Sequence, residues 1–121
     1  MELMQLRLPA GFAVTYHKFY DIDPILESDS DWFIENWGYF TEDLLQVVKL
    51  NVKKGTWYIP GRETNNYVLF DLGWYPDSDI NGHYTLEIVD GQWNVIKNIS
   101  TKDRYIIKQK IEEWLDEYQR V

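Results

Sequence analysis

"HYTLEIVDGQWNVIKNISTKDRYIIKQKIEEWLDEY", residues 83–118, changes periodicity part-way along, and that change decides the fold. Its first part, "HYTLEIV" (83–89), is β-branched and aromatic enough for a strand. Asp90-Gly91 follows, the strongest turn signal in the chain, because Asp-Gly suits the positive φ angles of a type I′ hairpin. "QWNVIKNI" (92–99) should therefore return as an antiparallel neighbour. Beyond it the period lengthens. Ile107, Ile111, Trp114, Leu115 and Tyr118 follow the i, i+4, i+7, i+8 spacing of one buried helix face, opposite Lys102, Lys110, Glu113, Glu117 and Arg120. Ser100 or Thr101 stands where an N-cap is needed, so a helix from there to about Tyr118 is expected.

Upstream, "NNYVLFDLGWY" (65–75) reads as the next strand. "DLLQVVKLNVKKGTWYIPG" (43–61) reads as a hairpin, with a strand near 44–52, a Lys-Lys-Gly turn and a strand at 56–59. "FAVTYHKFY" (12–20) alternates as a strand does, and "ELMQLRL" (2–8) suits a short one, the two separated by the turn signal "PAG". "DWFIENW" (31–37) suits a short helix started by Ser30 or Asp31 and stopped by Gly38. The expected fold is α+β: an antiparallel sheet of five or six strands, a long C-terminal helix packed on one face, and a short helix near residues 31–37. No repeat or linker interrupts the chain, so residues 1–121 are expected to form a single domain.

Cysteine is absent, which excludes disulfide frameworks, thiolate zinc sites and cysteine nucleophiles. The start "MELMQLRLPAGF" lacks a cationic stretch followed by an apolar run, so a secretory signal is not expected. Apolar runs are far shorter than a membrane span, and a soluble, cytoplasmic protein is the expectation.

Charge is distributed unevenly. The net charge is −8, yet residues 19–48 carry Asp21, Asp23, Glu27, Asp29, Asp31, Glu35, Glu42 and Asp43 with no Lys or Arg. Residues 63–96 add Glu63, Asp71, Asp77, Asp79, Glu87 and Asp90, again with no Lys or Arg, whereas the last 25 residues are nearly balanced. Such a field repels nucleic acid and anionic membrane and attracts basic partners. Trp32 and Trp37 stand among these acids, and tryptophan is a residue type that anchors interfaces. Trp114, and most of Trp57, Trp74 and Trp93, are expected in the core.

"DSDINGHYTLE" (77–87) matches the first half of a calcium loop through Asp77, Asp79, Asn81 and Gly82. The closing glutamate should fall where Ile88 stands, and the flanks read as strands, so an Asp/Asn/Gly-rich hairpin loop is the better reading. His17 and His83 belong to no motif, and no nucleophile elbow, phosphate loop or zinc-protease sequence occurs. Carboxylate pairs are too abundant to mark a glycosidase, and the negative field argues against a nuclease. No catalytic group, cofactor or resident metal is expected.

A small, acidic, cysteine-free α+β chain with rings set among carboxylates suits a protein that plugs a basic active site. In this character the chain is similar to bacterial immunity proteins that neutralise nuclease toxins, including those of contact-dependent growth inhibition and related polymorphic-toxin systems. The resemblance implies a cytoplasmic inhibitor of a cationic toxin, an RNase or DNase domain, with no catalysis of its own; it transfers no residue. From the residues themselves, the expected contact is Asp21, Asp23, Glu27, Asp29, Asp31, Trp32, Glu35, Trp37, Glu42 and Asp43, with Asp77 and Asp79 as a possible second patch. The alternatives are a carbohydrate-binding module, which needs coplanar exposed rings, and a DNA-mimic inhibitor, which needs carboxylates spaced like phosphates.

Overall fold

The computed structural model describes residues 2–120. The strands are β1 (Phe12–His17), β2 (Leu45–Lys49), β3 (Asn51–Lys53), β4 (Thr56–Tyr58), β5 (Leu69–Tyr75), β6 (His83–Val89) and β7 (Val95–Thr101), followed by one helix, α1 (Arg104–Gln119). Five strands form an antiparallel sheet in the order β1-β2-β5-β6-β7, while β3 and β4 make a separate two-stranded hairpin. The α+β architecture expected from the sequence is the one observed, with five strands in the main sheet.

Side chains alternate across a strand, so the register divides the sheet into two faces. Leu45, Leu72, Leu86 and Ile99 lie in one cross-strand row. With Val47, Phe70, Trp74, Tyr84 and Ile88 they form the covered face, against which α1 lays Ile107, Ile111, Trp114 and Leu115. Full burial of such a side chain stabilises by roughly 1.5–3 kcal/mol. The rest of the cover comes from the long connection between β1 and β2, through Phe19, Ile34, Phe40 and Leu44. Edge-to-face contacts fix that connection: Phe40 meets Trp74 at 5.0 Å between ring centroids, Trp74 meets Tyr84 at 4.9 Å, and Tyr84 meets Phe19 at 5.4 Å.

Several elements differ from the sequence expectation, each for an identifiable reason. Residues 2–8 give only a bridge, Leu3 to Tyr20. Beyond it the chain runs beside α1, where the Arg7 N–H donates to Glu112 (2.8 Å) and the Arg7 guanidinium to Asp116. The helix expected at 31–37 is reduced to one 3-10 turn at Trp37–Tyr39. The Ser30 hydroxyl does accept from the Trp32 and Phe33 N–H groups, but residues 32–35 are then taken by strand-like partners on both sides.

The hairpin strand expected over 44–52 breaks at Leu50, whose N–H turns to the Gly11 carbonyl, and β3–β4 leaves the main sheet. Its turn residues Lys54 and Gly55 both have positive φ, as a type I′ turn requires. At Asp90-Gly91 the expected type I′ turn is instead a longer loop. The Trp93 N–H bonds the Asp90 carbonyl, Asp90 accepts from Gln92 and Asn94, and the positive φ falls on Trp93. Gly91 serves close approach, since a Cβ there would lie 1.7 Å from the Arg62 carbonyl oxygen. The strand β7 runs on through Thr101, so the helix cap moves to Asp103, which accepts from the Tyr105 and Ile106 N–H groups.

Two outcomes check this account. Ile111→Ala should lower unfolding free energy by about 2–5 kcal/mol in denaturant titration, as a cavity under the helix requires. Asp103→Ala should cost about 1 kcal/mol, whereas Ser100→Ala should leave the helix unaffected.

Candidate functional site

The connection between β1 and β2 carries most of the acids singled out in the sequence, and a local hydrogen-bond ladder ties it together. The Glu27 N–H donates to the Phe33 carbonyl (2.8 Å) and the Glu35 N–H to the Ile25 carbonyl (2.6 Å). On the other side, the Ile34 N–H donates to the Ser78 carbonyl (2.9 Å) and the Ile80 N–H to the Trp32 carbonyl (2.7 Å). Residues 32–35 therefore run between 25–27 and 78–80. Ile34 points into the core, while Trp32 and Trp37 are each about half exposed (49% and 52%), as are Ile25 and Leu26.

This ladder joins the two patches that the sequence presents as separate. Asp29, Asp31 and Glu35 are exposed on one segment and Asp77 on its neighbour. Asp77 accepts from the Glu42 N–H (3.3 Å) and the Ser78 hydroxyl (2.5 Å), linking the loop before β6 to Glu42 and Asp43. Asp79 is occupied locally, accepting from the Asn81 N–H (2.9 Å) and side-chain amide. Gly82 lets this loop close over Trp74, whose indole nitrogen would be 2.6 Å from an added Cβ. No group of three or more His, Cys, Asp or Glu gathers at metal-binding distance among the described residues.

Asp21 and Asp23 behave differently from the other acids. The Arg104 guanidinium donates to both, at 2.7 and 2.5 Å, and the Tyr105 hydroxyl donates to Asp21 (2.7 Å). The Arg104 and Tyr105 hydrogen bonds hold the Asp21 carboxyl below its ordinary range. These two acids thus tie the connection to the start of α1.

The same rule governs every ion pair among the described residues. Arg7–Asp116, Lys97–Glu117, Lys108–Glu112 and Lys110–Glu113 all have a partner on α1, as do the two pairs of Arg104. Ion pairing among the described residues is thus concentrated at the helix.

The face of the sheet opposite α1 shows the consequence. Tyr16, Gln46, Asp71, Glu87 and Asn98 lie in one cross-strand row spanning all five strands. Asp71 occupies the central strand, and its Oδ1 is buried without a hydrogen-bond partner. Gly73, two residues on, allows the Glu42 backbone to pass over the sheet, because an added Cβ would lie 2.2 Å from the Glu42 carbonyl oxygen. Asp43 is thereby brought near. Burial, then the negative charges of Asp43 and Glu87, push the Asp71 carboxyl up to about 6, with Gln46 opposing weakly. The Tyr75 hydroxyl is raised by burial and by Asp71, Glu42, Glu87 and Asp43 together. At the far end of this face Val48, Leu69 and Val89 pack with Ala13, Leu50 and Tyr67.

Sequence reasoning missed Asp71 and Glu87 as site residues. Their signal was an acid at an alternating position of a strand whose other face is wholly apolar. It also placed most strand tryptophans in the core, which holds for Trp74 alone. Trp57 is about half exposed on the projecting hairpin, where its small two-stranded sheet has no layer packed on it, and Trp93 is equally exposed at the β6–β7 turn beneath the Arg62 guanidinium, 4.4 Å away. His17 accepts from the Phe19 N–H through Nδ1 and meets the Met4 carbonyl through Nε2, and His83 lies beside the Thr85 hydroxyl.

No protein-family model, curated protein or solved structure matches this chain. No helix among the described residues is long and apolar enough to cross a membrane.

Because Asp71 is harder to ionise in the folded chain than at its ordinary value of 3.8, the folded state holds the extra proton between about pH 4 and pH 6. Stability contributed by the protonated form is therefore lost as pH rises through that window. Asp71→Asn should stabilise the protein above pH 6 by on the order of 1–2 kcal/mol, after allowance for partial solvent screening, with the gain vanishing below pH 4. Denaturant titrations of both proteins across this range measure it.

Proposed function

We propose that this chain is a stoichiometric inhibitor of a basic protein, and in particular an immunity protein that neutralises a nuclease toxin in the cytoplasm. One observation carries the reading: ion pairs are confined to α1, while exposed carboxylates at Asp29, Asp31, Glu35, Glu42, Asp43 and Asp77 have no cationic partner among the described residues. A surface of this kind steers a cationic partner into encounter and speeds association. Trp32, exposed on the ladder, and Trp37, exposed in the 3-10 turn just beyond it, stand beside those acids and supply the apolar anchors that slow dissociation. Asp21 and Asp23 take a supporting part, since Arg104 already engages them.

The alternatives find less support. A sugar platform asks for coplanar exposed rings, whereas Trp57 lies in β4 and Trp93 in the separate β6–β7 turn, and Arg62 covers one face of Trp93. A DNA mimic asks for a regular line of acids on an elongated face. Here the acids divide between a ladder edge and a sheet face, with Trp32 exposed on that ladder and Trp37 in the 3-10 turn beyond it.

The reading is tested with the product of the neighbouring upstream reading frame. Its C-terminal domain should be a basic toxin that stops growth unless this chain is co-expressed, and the two purified proteins should bind one-to-one with nanomolar or tighter affinity. Reversing Asp29, Asp31 and Glu35 together to Lys should slow association at low salt by roughly tenfold or more. Trp32→Ala or Trp37→Ala should each speed dissociation, at a cost of about 2 kcal/mol. Association indifferent to salt and to the triple reversal would defeat the electrostatic part.

A further inference from the structure

We propose that β7, the open edge of the main sheet, pairs antiparallel with β7 of a second copy of this chain about a two-fold axis at Ile99, joining the two five-stranded sheets into one. The pairing is separate from the inhibitor reading, because none of the acids assigned to the basic partner lies on β7. An edge strand presents a row of unsatisfied N–H and C=O groups, which is a template for another chain. β7 ends the order β1-β2-β5-β6-β7, and among the described residues nothing bonds its outer edge. The opposite edge, β1, is less suited. Its register shifts between Val14 and Tyr16, and just beyond it Leu3 and Met4 already pair with Tyr20 and Phe19. The irregularity of β7 falls at its start, where Ile96 has no counterpart on β6, so residues 97–101 run in unbroken register with residues 84–88.

The occupant follows from register and from charge. Ile99 is the middle of that regular run and ends the apolar row Leu45, Leu72, Leu86, Ile99, where it is only partly buried. Antiparallel pairing about Ile99 sets the two Ile99 side chains against each other, so the row continues from one copy into the next. Asn98 then stands opposite Ser100 and Lys97 opposite Thr101, with no like charges opposed. The net charge of −8 makes two copies repel over most of their surface, yet residues 91–102 contain no Asp or Glu. A basic partner finds no carboxylate on this edge, whereas a second acidic copy finds none to oppose its own. Lys97 is already neutralised by Glu117 of its own chain. Because α1 packs over β6 and β7, the pairing also brings two helices side by side. Helical spacing puts Ile106, Lys110 and Glu113 on one stripe with Glu117, beside Lys97. That stripe carries both signs, and its exposed Ile106 gains cover.

Sedimentation equilibrium of the full chain, over roughly 1–500 μM, reads the association. A reversible monomer–dimer equilibrium is expected, tightening as salt screens the repulsion between acidic copies. The double variant Asn98→Lys with Ser100→Lys sets like charges opposite each other on both sides of the axis and should weaken the dimer by about tenfold or more. Both side chains are exposed, and Asn98 lies opposite Glu87 on β6, so the variant keeps its fold. It also lowers the net negative charge, so general repulsion cannot account for a weaker dimer. Amide hydrogen exchange of the unaltered chain gives an independent reading: protection in residues 97–101 should rise with protein concentration, while that of β1 should not. A monomer at every concentration would overturn the proposal, as would a dimer that the double variant leaves intact or a rise in protection confined to β1. Growth beyond the dimer would overturn the closed two-fold pairing.

Discussion

One helix must cover one face of a five-stranded sheet, and the rest of the structure depends on that constraint. Ile107, Ile111, Trp114 and Leu115 are buried against the row of Leu45, Leu72, Leu86 and Ile99, and α1 has no second apolar stripe to offer. The aromatic connection between β1 and β2 therefore completes the same layer, through Phe19, Ile34 and Phe40, while its Glu42 backbone passes over the other face at Gly73. Because α1 also carries a member of every ion pair among the described residues, charge pairing is concentrated on the covered side. The carboxylates of the opposite face and of the ladder edge are left without counter-charge. A single packing decision thus polarises the molecule.

Periodicity made the fold legible. The residues of β6 match the run "HYTLEIV" at both ends, and four of the five apolar positions assigned to the helix are fully or nearly buried, with Tyr118 half-buried. Local signals failed where tertiary partners outbid them. Ser30 does cap a turn, but Ser78 and Ile80 supply a strand-like partner that turns residues 32–35 away from helix. Asp-Gly at 90–91 does make a turn, but the glycine is spent on close approach to Arg62 and Trp93 takes the left-handed position. The helix cap lies two or three residues later than expected because β7 uses Ser100 and Thr101 for pairing with β6.

The candidate site was legible in part. Composition located the acids of 19–48 and the exposed Trp32 and Trp37, since an unbroken run without Lys or Arg is visible in any sequence. It could not assign Arg104 to Asp21 and Asp23 across more than eighty positions, nor bring Asp77 to Glu42, because both pairings follow from how the connection folds back on the sheet. Asp71 and Glu87 were hidden for another reason. An isolated acid in a strand reads as an ordinary solvent-facing residue until the register places it opposite a second one.

The polarisation of charge can be measured residue by residue. Titration of the side-chain carboxyl carbons by nuclear magnetic resonance should find Asp21 and Asp116, engaged by Arg104 and Arg7, below the ordinary carboxylate range, and Asp71 near 6. Asp71 titrating at its ordinary value of 3.8 would mean that neither burial nor neighbouring negative charge acts on it, and would contradict the account.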